Sequence, residues 1–292
     1  MKDRIDPLIA ERAPWLYREH WAVPPVRRVL NRMLGYDRTL EIGTAIEDAA
    51  PPEIMSRMAA LIARDVEFSG LENIPRNGAA LIVSNHPTGI ADGIILHHVL
   101  RQVRPDAYYY ANSDILRVLP QMQDMIAPVE WRKEKRSHAK TRETMAYTRK
   151  AVDAGRLGVL FPSGRLAKRR GLRLFERPWM PSAAMIARKF ELPVIPVNIR
   201  ARNSALFYIF DLIHPTLRDI TLFHETLNKD RQPYRITIGK PIAPERISSN
   251  SQDGIEMLMN ETLALGGRHA PTVSLVQTTR MPSWARETAG GY

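Results

Sequence analysis

The chain has 292 residues, of which 44% are hydrophobic and 25% are charged, a composition that excludes a largely disordered protein and allows one large domain or two small ones. The absence of cysteine excludes disulfides, thiolate metal sites and a cysteine nucleophile. The net charge of +11 predicts an anionic partner, which could be nucleic acid, a lipid surface or a phosphorylated substrate.

The positive charge is concentrated in one part of the chain. Residues 131–189 contain 17 Lys and Arg against 4 Asp and Glu, and the remainder is close to neutral. This stretch is therefore expected to surround a bound anion. A set of solvated basic helix faces remains the alternative, since runs of charge often serve only solubility.

No segment of the sequence is predicted to cross a membrane. Residues 77–91 lack charged side chains but fall short of the roughly 18 apolar residues that a span needs. The N-terminal residues contain no apolar core of the kind found in signal peptides. The sequence thus predicts a soluble or peripheral intracellular protein.

Residues 1–64 are predicted to form a helical N-terminal extension. In residues 24–34 the apolar side chains recur at helical spacing on one face, whereas Arg27, Arg28 and Arg32 fall on the other. Together with the nearby Trp21, this pattern is typical of a helix that lies in a membrane interface. A helix packed on the core with its arginines in solvent is the alternative. A second amphipathic helix is predicted to begin at Pro51.

From residue 65 onward the pattern alternates between strands and helices. Strands are predicted at 66–68, 80–84, 107–111, 126–130, 158–161, 194–199 and 234–238, and helices at 89–101, 138–154, 181–190 and 252–265. This order predicts an α/β domain over residues 65–265, with a mixed, largely parallel sheet flanked by helices. Residues 266–292 lack periodicity and are predicted to form a poorly ordered tail.

The first chemical motif joins a strand to a helix. His86 follows the apolar strand at residues 80–84, and Asp92 lies in the start of the next helix. The two side chains can meet only if Pro87, Thr88 and Gly89 form a tight non-helical turn. A histidine held by a carboxylate is an oriented general base for a hydroxyl.

Two other interpretations of this motif are open. Asp92 could cap the helix while His86 lies at the surface, without any shared chemistry. A metal site that adds His97 and His98 is disfavoured, because no metal-ligand spacing repeats in the chain. No metal is therefore expected.

The second motif is the strand and turn F-P-S-G-R at residues 161–165, followed by further basic residues. A turn that exposes backbone N–H groups beside guanidinium groups suits a phosphate. The pattern is neither a Walker loop nor the elbow of a serine hydrolase. The residues predicted to bind a substrate phosphate are Ser163, Gly164, Arg165, Lys168, Arg169 and Arg170.

The order of three motifs resembles a known family. N-H-P-x-x-x-x-D at residues 85–92 is followed by F-P-S-G-R at 161–165 and by L-P-V-I-P-V at 192–197. This succession resembles the glycerolipid acyltransferases of the 1-acylglycerol-3-phosphate acyltransferase type, over roughly residues 66–242. Residues 227–229 and 236–242 look like a bacterial subgroup described as hemolysin-like or lyso-ornithine-lipid acyltransferases.

The sequence departs from the family's pattern in two places. Asp92 lies one residue farther from His86 than is usual, a spacing that looks like that of the hemolysin-like subgroup. Ser163 stands where the family's F-P-E-G-T-R has glutamate, and Arg165 comes one residue early. Because the family associates this loop with the glycerol-phosphate acceptor, the change puts lysophosphatidate in doubt as the acceptor. Arg132 takes the place of the arginine in the family's intermediate block.

The resemblance implies an O-acyltransferase. His86 would deprotonate an acceptor hydroxyl, Asp92 would orient the imidazole, and Asn85 would support the site from behind. Backbone N–H groups near Gly89 or Gly164 would stabilise the oxyanion. Acyl-CoA or acyl carrier protein would donate the acyl group as co-substrate, with no permanently bound cofactor.

The acceptor and the partners are expectations of the same kind. The acceptor would be a lysophospholipid such as 1-acylglycerol-3-phosphate, or else lyso-ornithine lipid or another lysolipid. A non-catalytic lipid-binding scaffold on the same fold is a further alternative. The protein is expected at an anionic membrane surface, on the inner face of the cell membrane. Nucleic acid is not expected, because the chain lacks recognition-helix, stacking and zinc-finger patterns.

Overall fold

The structure is a computed structural model that describes residues 1–130 and 137–279. The helices are α1 (Lys2–Arg12), α2 (Val23–Met33), α3 (Tyr36–Ile46), α4 (Pro51–Ile62), α5 (Ile90–Leu100), α6 (Asp114–Val118), α7 (His138–Asp153), α8 (Ser182–Lys189), α9 (Ala205–Ile213), α10 (Pro215–Ile220), α11 (Leu222–Leu227) and α12 (Ser251–Ala264). The strands are β1 (Val66–Ser69), β2 (Ala80–Ser84), β3 (Tyr108–Asn112), β4 (Ile126–Val129), β5 (Leu157–Leu160), β6 (Lys168–Arg170), β7 (Arg173–Phe175), β8 (Val194–Arg200), β9 (Tyr234–Ile238) and β10 (Thr272–Ser274).

Seven of these strands form one sheet in the order β1-β9-β8-β2-β5-β3-β4. Neighbouring strands are parallel except for β8 and β9, which are antiparallel. The predicted mixed, largely parallel sheet is therefore confirmed. Because β2 is central and parallel to both of its neighbours, the carboxyl ends of β2, β5 and β8 meet at one edge.

Both faces of the sheet are covered by helices. All five residues of β2 are buried, and their side chains alternate between the two faces, as the period of two in a strand requires. Ile82 packs in the cluster that includes side chains of α1, α4 and α5. Leu81 and Val83 pack in the cluster on the opposite face, which includes side chains of α8 and α12. The flanking helices were predicted, and the sheet they cover is buried on both sides.

The N-terminal helices do not all behave alike. Ile5 of α1 and Ile54 of α4 are each 2% exposed and belong to the main core. In contrast, Val26, Val29 and Met33 of α2 point into solvent. The apolar face predicted for α2 is therefore exposed only in part, because Leu30 is buried in a small cluster, whereas α4 packs on the main core. Within the described residues, no helix is both long and apolar enough to span a bilayer.

A second, small sheet lies outside the main one. It is antiparallel, with the order β10-β7-β6, and Val273 pairs with Leu174. The prediction of a poorly ordered tail from residue 266 is wrong for β10, because backbone pairing with β7 and burial of Val273 order a strand too short to show periodicity. Residues 280–292 lie outside the described residues.

Candidate functional site

The turn between β2 and α5 brings His86 and Asp92 together. Gly89 has φ 100° and ψ −137°, a conformation that is unfavourable for any residue with a Cβ atom, and α5 begins at the next residue. Asp92 therefore lies in the first turn of α5, where its Oδ2 accepts the backbone N–H groups of Thr88 at 2.9 Å and Gly89 at 3.0 Å. The same Oδ2 is 2.9 Å from Nδ1 of His86. The predicted non-helical turn is confirmed, and Asp92 both caps the helix and contacts the histidine.

The imidazole of His86 is held between the carboxylate and an aromatic ring. Its Nδ1 is buried beside Asp92, although the N–H direction is poorly aligned with Oδ2. The ring stacks on Phe161 with centroids 4.3 Å apart. Since His86 also lines the large cavity, Nε2 is the nitrogen available to a substrate. A small rotation of the ring would align Nδ1 with Asp92, as catalytic hydrogen bonds often tighten only when substrate binds.

A buried polar network lies behind Asp92. Asp92 is completely buried, and its Oδ1 accepts the Thr88 hydroxyl at 2.5 Å. The Thr88 oxygen is in turn 2.6 Å from the Tyr234 hydroxyl. Burial raises the pKa of Tyr234, and the charge of Asp92 raises it further. Tyr234 is therefore a neutral hydrogen-bond partner of Thr88, which in turn donates to Oδ1 of Asp92.

An ion pair lies buried near this network. Nζ of Lys229 is 3.0 Å from Oε2 of Glu225, and the two side chains are 0% and 1% exposed. Burial lowers the pKa of Lys229, whereas the charges of Glu225 and Asp92 oppose that change. Glu225 also accepts the backbone N–H and the hydroxyl of Ser204. The pair therefore connects the ends of α9 and α11 at the back of the site.

The expected oxyanion site consists of backbone N–H groups near Gly89 or Gly164. The N–H of Gly89 itself donates to Asp92, and the N–H of Gly164 itself donates to the Phe161 carbonyl at 3.0 Å. The two glycines use their own N–H groups in the hydrogen bonds that close the turns at the site. An oxyanion site formed by neighbouring backbone groups stays a prediction.

The predicted phosphate-binding residues divide into two groups. Gly164, Arg165, Lys168 and Arg169 line the same cavity as His86. Ser163 and Arg170 are not among its lining residues.

The contacts of the second group explain its position. Ser163 is buried, and its hydroxyl donates to the Arg165 carbonyl at 2.8 Å. The guanidinium of Arg170 lies 5.4 Å from the centroid of the Phe175 ring.

Asn85 joins β2 to β8, since its side chain donates to the Ile199 carbonyl and accepts the Ile199 N–H. Arg132 lies outside the described residues.

The structure adds two residues that the sequence analysis missed. Glu176 lies next to the His86–Asp92 turn, with Oε2 3.2 Å from the backbone nitrogen of His86. Arg177 lines the cavity beside Arg165, and burial together with the charges of Arg165 and Arg218 lowers its pKa. Both belong to the segment E-R-P-W, which follows a three-residue strand and shows no pattern that would single them out.

The cavity beside His86 has a volume of about 1880 Å³. One part of its wall is apolar and comes from the N-terminal helices, α5 and the sheet, with Ile5, Leu8, Ile46, Met55, Ile94, Met122 and Ile126 among its residues. Another part is basic and contains Arg165, Lys168, Arg169 and Arg177. Among the described residues, no three His, Asp or Glu side chains converge as a metal site would require. The cavity can therefore take a ligand with a long apolar chain and an anionic group.

A family model described as Acyltransferase matches residues 65–200. This region contains the His86–Asp92 turn and the F-P-S-G-R loop. Residues 65–200 therefore resemble an acyltransferase domain. The predicted family resemblance is confirmed at this level.

Curated relatives have the same character. The chain is 29% identical over 187 residues to a lyso-glycine lipid O-acyltransferase of Phocaeicola vulgatus, a match that covers 61% of this chain and 64% of that protein. The match thus spans less than two thirds of that relative. This chain is also 24% identical over 249 residues to a lyso-glycine lipid O-acyltransferase of Bacteroides thetaiotaomicron, a match that covers 82% of this chain and 87% of that protein.

One solved structure is also similar. The 1-acyl-sn-glycerophosphate acyltransferase of Thermotoga maritima matches with a TM-score of 0.48 and 14% identity, covering 84% of this chain and 99% of that one.

Proposed function

We propose that the protein transfers a fatty acyl group from acyl-CoA or acyl carrier protein to the hydroxyl of a lysolipid. The observation that carries this proposal is the His86–Asp92 contact at a cavity with an apolar wall and a basic wall. A lysolipid has one chain, one free hydroxyl and, in the phospholipids, an anionic headgroup. The three features of the cavity correspond to these three parts.

The reaction follows from the position of His86. Nε2 takes the proton of the acceptor hydroxyl as that oxygen attacks the thioester carbonyl of the donor. The new C–O bond forms, the C–S bond breaks, and the leaving thiolate receives the proton from the imidazolium. Asp92 stabilises the imidazolium and keeps Nδ1 protonated. No acyl-enzyme is needed, in agreement with a chain that lacks cysteine.

The basic wall is proposed to hold the acceptor's headgroup. Guanidinium groups bind carboxylate and phosphate alike, so Arg165, Arg169 and Arg177 suit a lysophospholipid as well as an acidic aminolipid. The names of both curated relatives favour a lyso-glycine lipid. Lysophosphatidate and lyso-ornithine lipid are the other acceptors to compare.

A panel of lysolipids tests the proposal. Purified protein is incubated with acyl-CoA or acyl carrier protein and each lysolipid, and release of the free thiol is measured. We expect turnover with at least one acceptor and its loss in His86→Ala. Equal activity of the wild type and His86→Ala, or no turnover with any acceptor and either donor, would contradict the function.

An anionic lipid bilayer is proposed as the docking partner. Trp21 and the exposed side chains of α2 form one apolar group at the surface, and Ile209, Leu212 and Ile213 of α9 form another. The two groups are near each other, because Leu30 of α2 and Phe210 of α9 belong to one hydrophobic cluster. Exposed Arg28 and Arg32 on α2 supply the complementary charge.

The position of α9 also relates this surface to the reaction. Phe207 and Tyr208 of the same helix line the cavity, so a lysolipid could pass from the bilayer to His86 along α9. The protein is proposed to dock on the inner face of the cell membrane.

Flotation with vesicles tests the docking surface. Val29→Asp with Leu212→Asp is expected to weaken binding to phosphatidylglycerol-rich vesicles about tenfold, because charges replace the inserting side chains. Phe68→Asp, at an exposed position of edge strand β1, is the matched control and is expected to bind normally. Equal binding of the wild type, the double variant and Phe68→Asp would contradict the proposed docking surface.

A further inference from the structure

We propose that Glu176 is a positioning residue for His86 and supplies the carboxylate that the changed F-P-S-G-R motif lacks. The inference deepens the proposed function, since it concerns the residue that takes the acceptor's proton. Ser163 stands where the family's motif has glutamate. The structure brings a different carboxylate, from beyond β7, to the same loop.

The contacts of Glu176 fix the main chain at the histidine. Oε2 accepts the backbone N–H of His86 at 3.2 Å, and Oε1 accepts the indole N–H of Trp179 at 3.1 Å. The carbonyl of His86 accepts the N–H of Ala167 at 2.9 Å. Both polar backbone groups of His86 are thus held by the segment that runs from the F-P-S-G-R loop to Trp179.

The Ser163 hydroxyl is a neighbour of the same carboxylate. It donates to the Arg165 carbonyl at 2.8 Å, and it lies near enough to Glu176 to lower the pKa of that carboxyl group. Position 163 and the Glu176 carboxylate are therefore adjacent in the fold. A carboxylate introduced at residue 163 would enter the surroundings that Glu176 now occupies.

The hydrogen bonds indicate which form of Glu176 is present. Burial raises the pKa of its carboxyl group, whereas the donors at His86, Ser163 and Trp179 and the charge of His86 oppose that rise. Two N–H groups donate to two different oxygens, so a carboxylate satisfies both. A protonated acid would offer one of these donors only a hydroxyl oxygen, which is the weaker acceptor. The two N–H donors therefore favour the ionised form.

This arrangement bears on the reaction in two ways. Fixing the His86 peptide fixes the direction in which the imidazole leaves the chain, and a misplacement of about 1 Å can cost about 100-fold in rate. When His86 takes up the acceptor's proton, the Asp92 carboxylate contacts the imidazolium directly, and the charge of Glu176 adds a longer-range attraction. Glu176 itself touches no substrate, so it acts through His86.

Glu176→Gln tests the inference with minimal change in shape. A carboxamide has one acceptor oxygen, so either His86 or Trp179 faces an NH₂ group and loses its bond. We expect kcat to fall about 100-fold with little change in the KM of donor and acceptor. Glu256→Gln, an exposed glutamate on α12, is the matched control and should keep wild-type kcat.

A rescue experiment separates positioning from a merely structural role. Ser163→Glu is added to Glu176→Gln, so that the carboxylate comes from the motif position. We expect at least about tenfold recovery of kcat relative to Glu176→Gln alone. Thermal unfolding of each variant shows that the protein is folded. Full kcat in Glu176→Gln, or a loss that Ser163→Glu leaves unchanged in a folded protein, would overturn the inference.

A readout without substrate keeps the test independent of the proposed function. The amide proton of His86 is followed by NMR in ¹⁵N-labelled full-length protein. A carboxylate is a stronger hydrogen-bond acceptor than a carboxamide. The resonance of the His86 amide proton should therefore move upfield in Glu176→Gln. An unmoved resonance contradicts the inference whatever the activity. Failure of His86→Ala to lower turnover contradicts the proposed function alone.

Discussion

At the scale of single residues, the site depends on backbone geometry as much as on side-chain chemistry. The six-residue separation of His86 and Asp92 is unfavourable on a continuous helix, and Gly89 is the residue that interrupts it. The sequence could indicate this turn because proline and glycine mark it directly. It could not indicate Glu176, whose role depends on a contact with a residue 90 positions earlier in the chain.

Gly89→Ala should damage both stability and catalysis. A Cβ at φ 100° is strained and would lie 3.0 Å from Leu166 Cδ2, so we expect a loss of about 3 kcal/mol in the free energy of unfolding. Urea denaturation measures it, and kcat should fall with it. Gly171→Ala is the control, because its φ is 58° with no atom within 4 Å, and should cost about 1 kcal/mol. Equal losses in the two variants would contradict this account of the turn.

At the scale of elements, buried segments were the most predictable. The strands β2, β5 and β9 follow from short apolar or alternating runs bounded by turn residues, and α4 follows from its helical spacing. The region from α9 to α11 was not predicted, since it consists of short helices whose limits depend on tertiary contacts. The strands β6, β7 and β10 have three residues each, too few for a periodic signal.

The Lys229–Glu225 pair should be costly to break on one side. Lys229→Met leaves the carboxylate of Glu225 buried without its ammonium partner, and we expect a loss of about 4 kcal/mol in the free energy of unfolding. Glu225→Gln with Lys229→Met should lie much closer to the wild type, because no charge is then left unpaired. Urea denaturation of the single and double variants decides between coupling and independent effects. Additive losses would show that the pair is not coupled.

At the scale of the whole molecule, the positive charge has a definite place. The basic stretch at residues 131–189 contributes Arg165, Lys168, Arg169 and Arg177 to the cavity, whereas the exposed arginines of α2 belong to the proposed docking surface. The sequence indicated the basic stretch but not which of its residues line the cavity. That choice depends on how the small sheet folds, as the outward position of Arg170 illustrates.

The stability of the molecule should depend on the protonation of His97. Burial first, and then the charges of Arg101 and His98, lower the pKa of His97 to about 4 from an ordinary value of 6.5. Between these two values the unfolded chain binds a proton that the folded chain excludes, so stability falls as the pH decreases below 6.5. We expect this residue to account for a loss of about 2 kcal/mol between pH 7 and pH 5. Urea denaturation at several pH values should show a flatter dependence in His97→Leu, and an unchanged dependence would contradict the assignment.

The position of β9 has a consequence for the order in which the protein can assemble. β9 lies between β8 and β1, so the first strand of the main sheet joins it only through a strand that is synthesised late. The same late strand carries Tyr234, which completes the support of Asp92. A ribosome-bound chain that has released β1 and β2 but not β9 must therefore keep an unpaired strand and an unfinished site. The site can therefore be completed only after β9 has been synthesised, and the earlier segments stay exposed to chaperones until then.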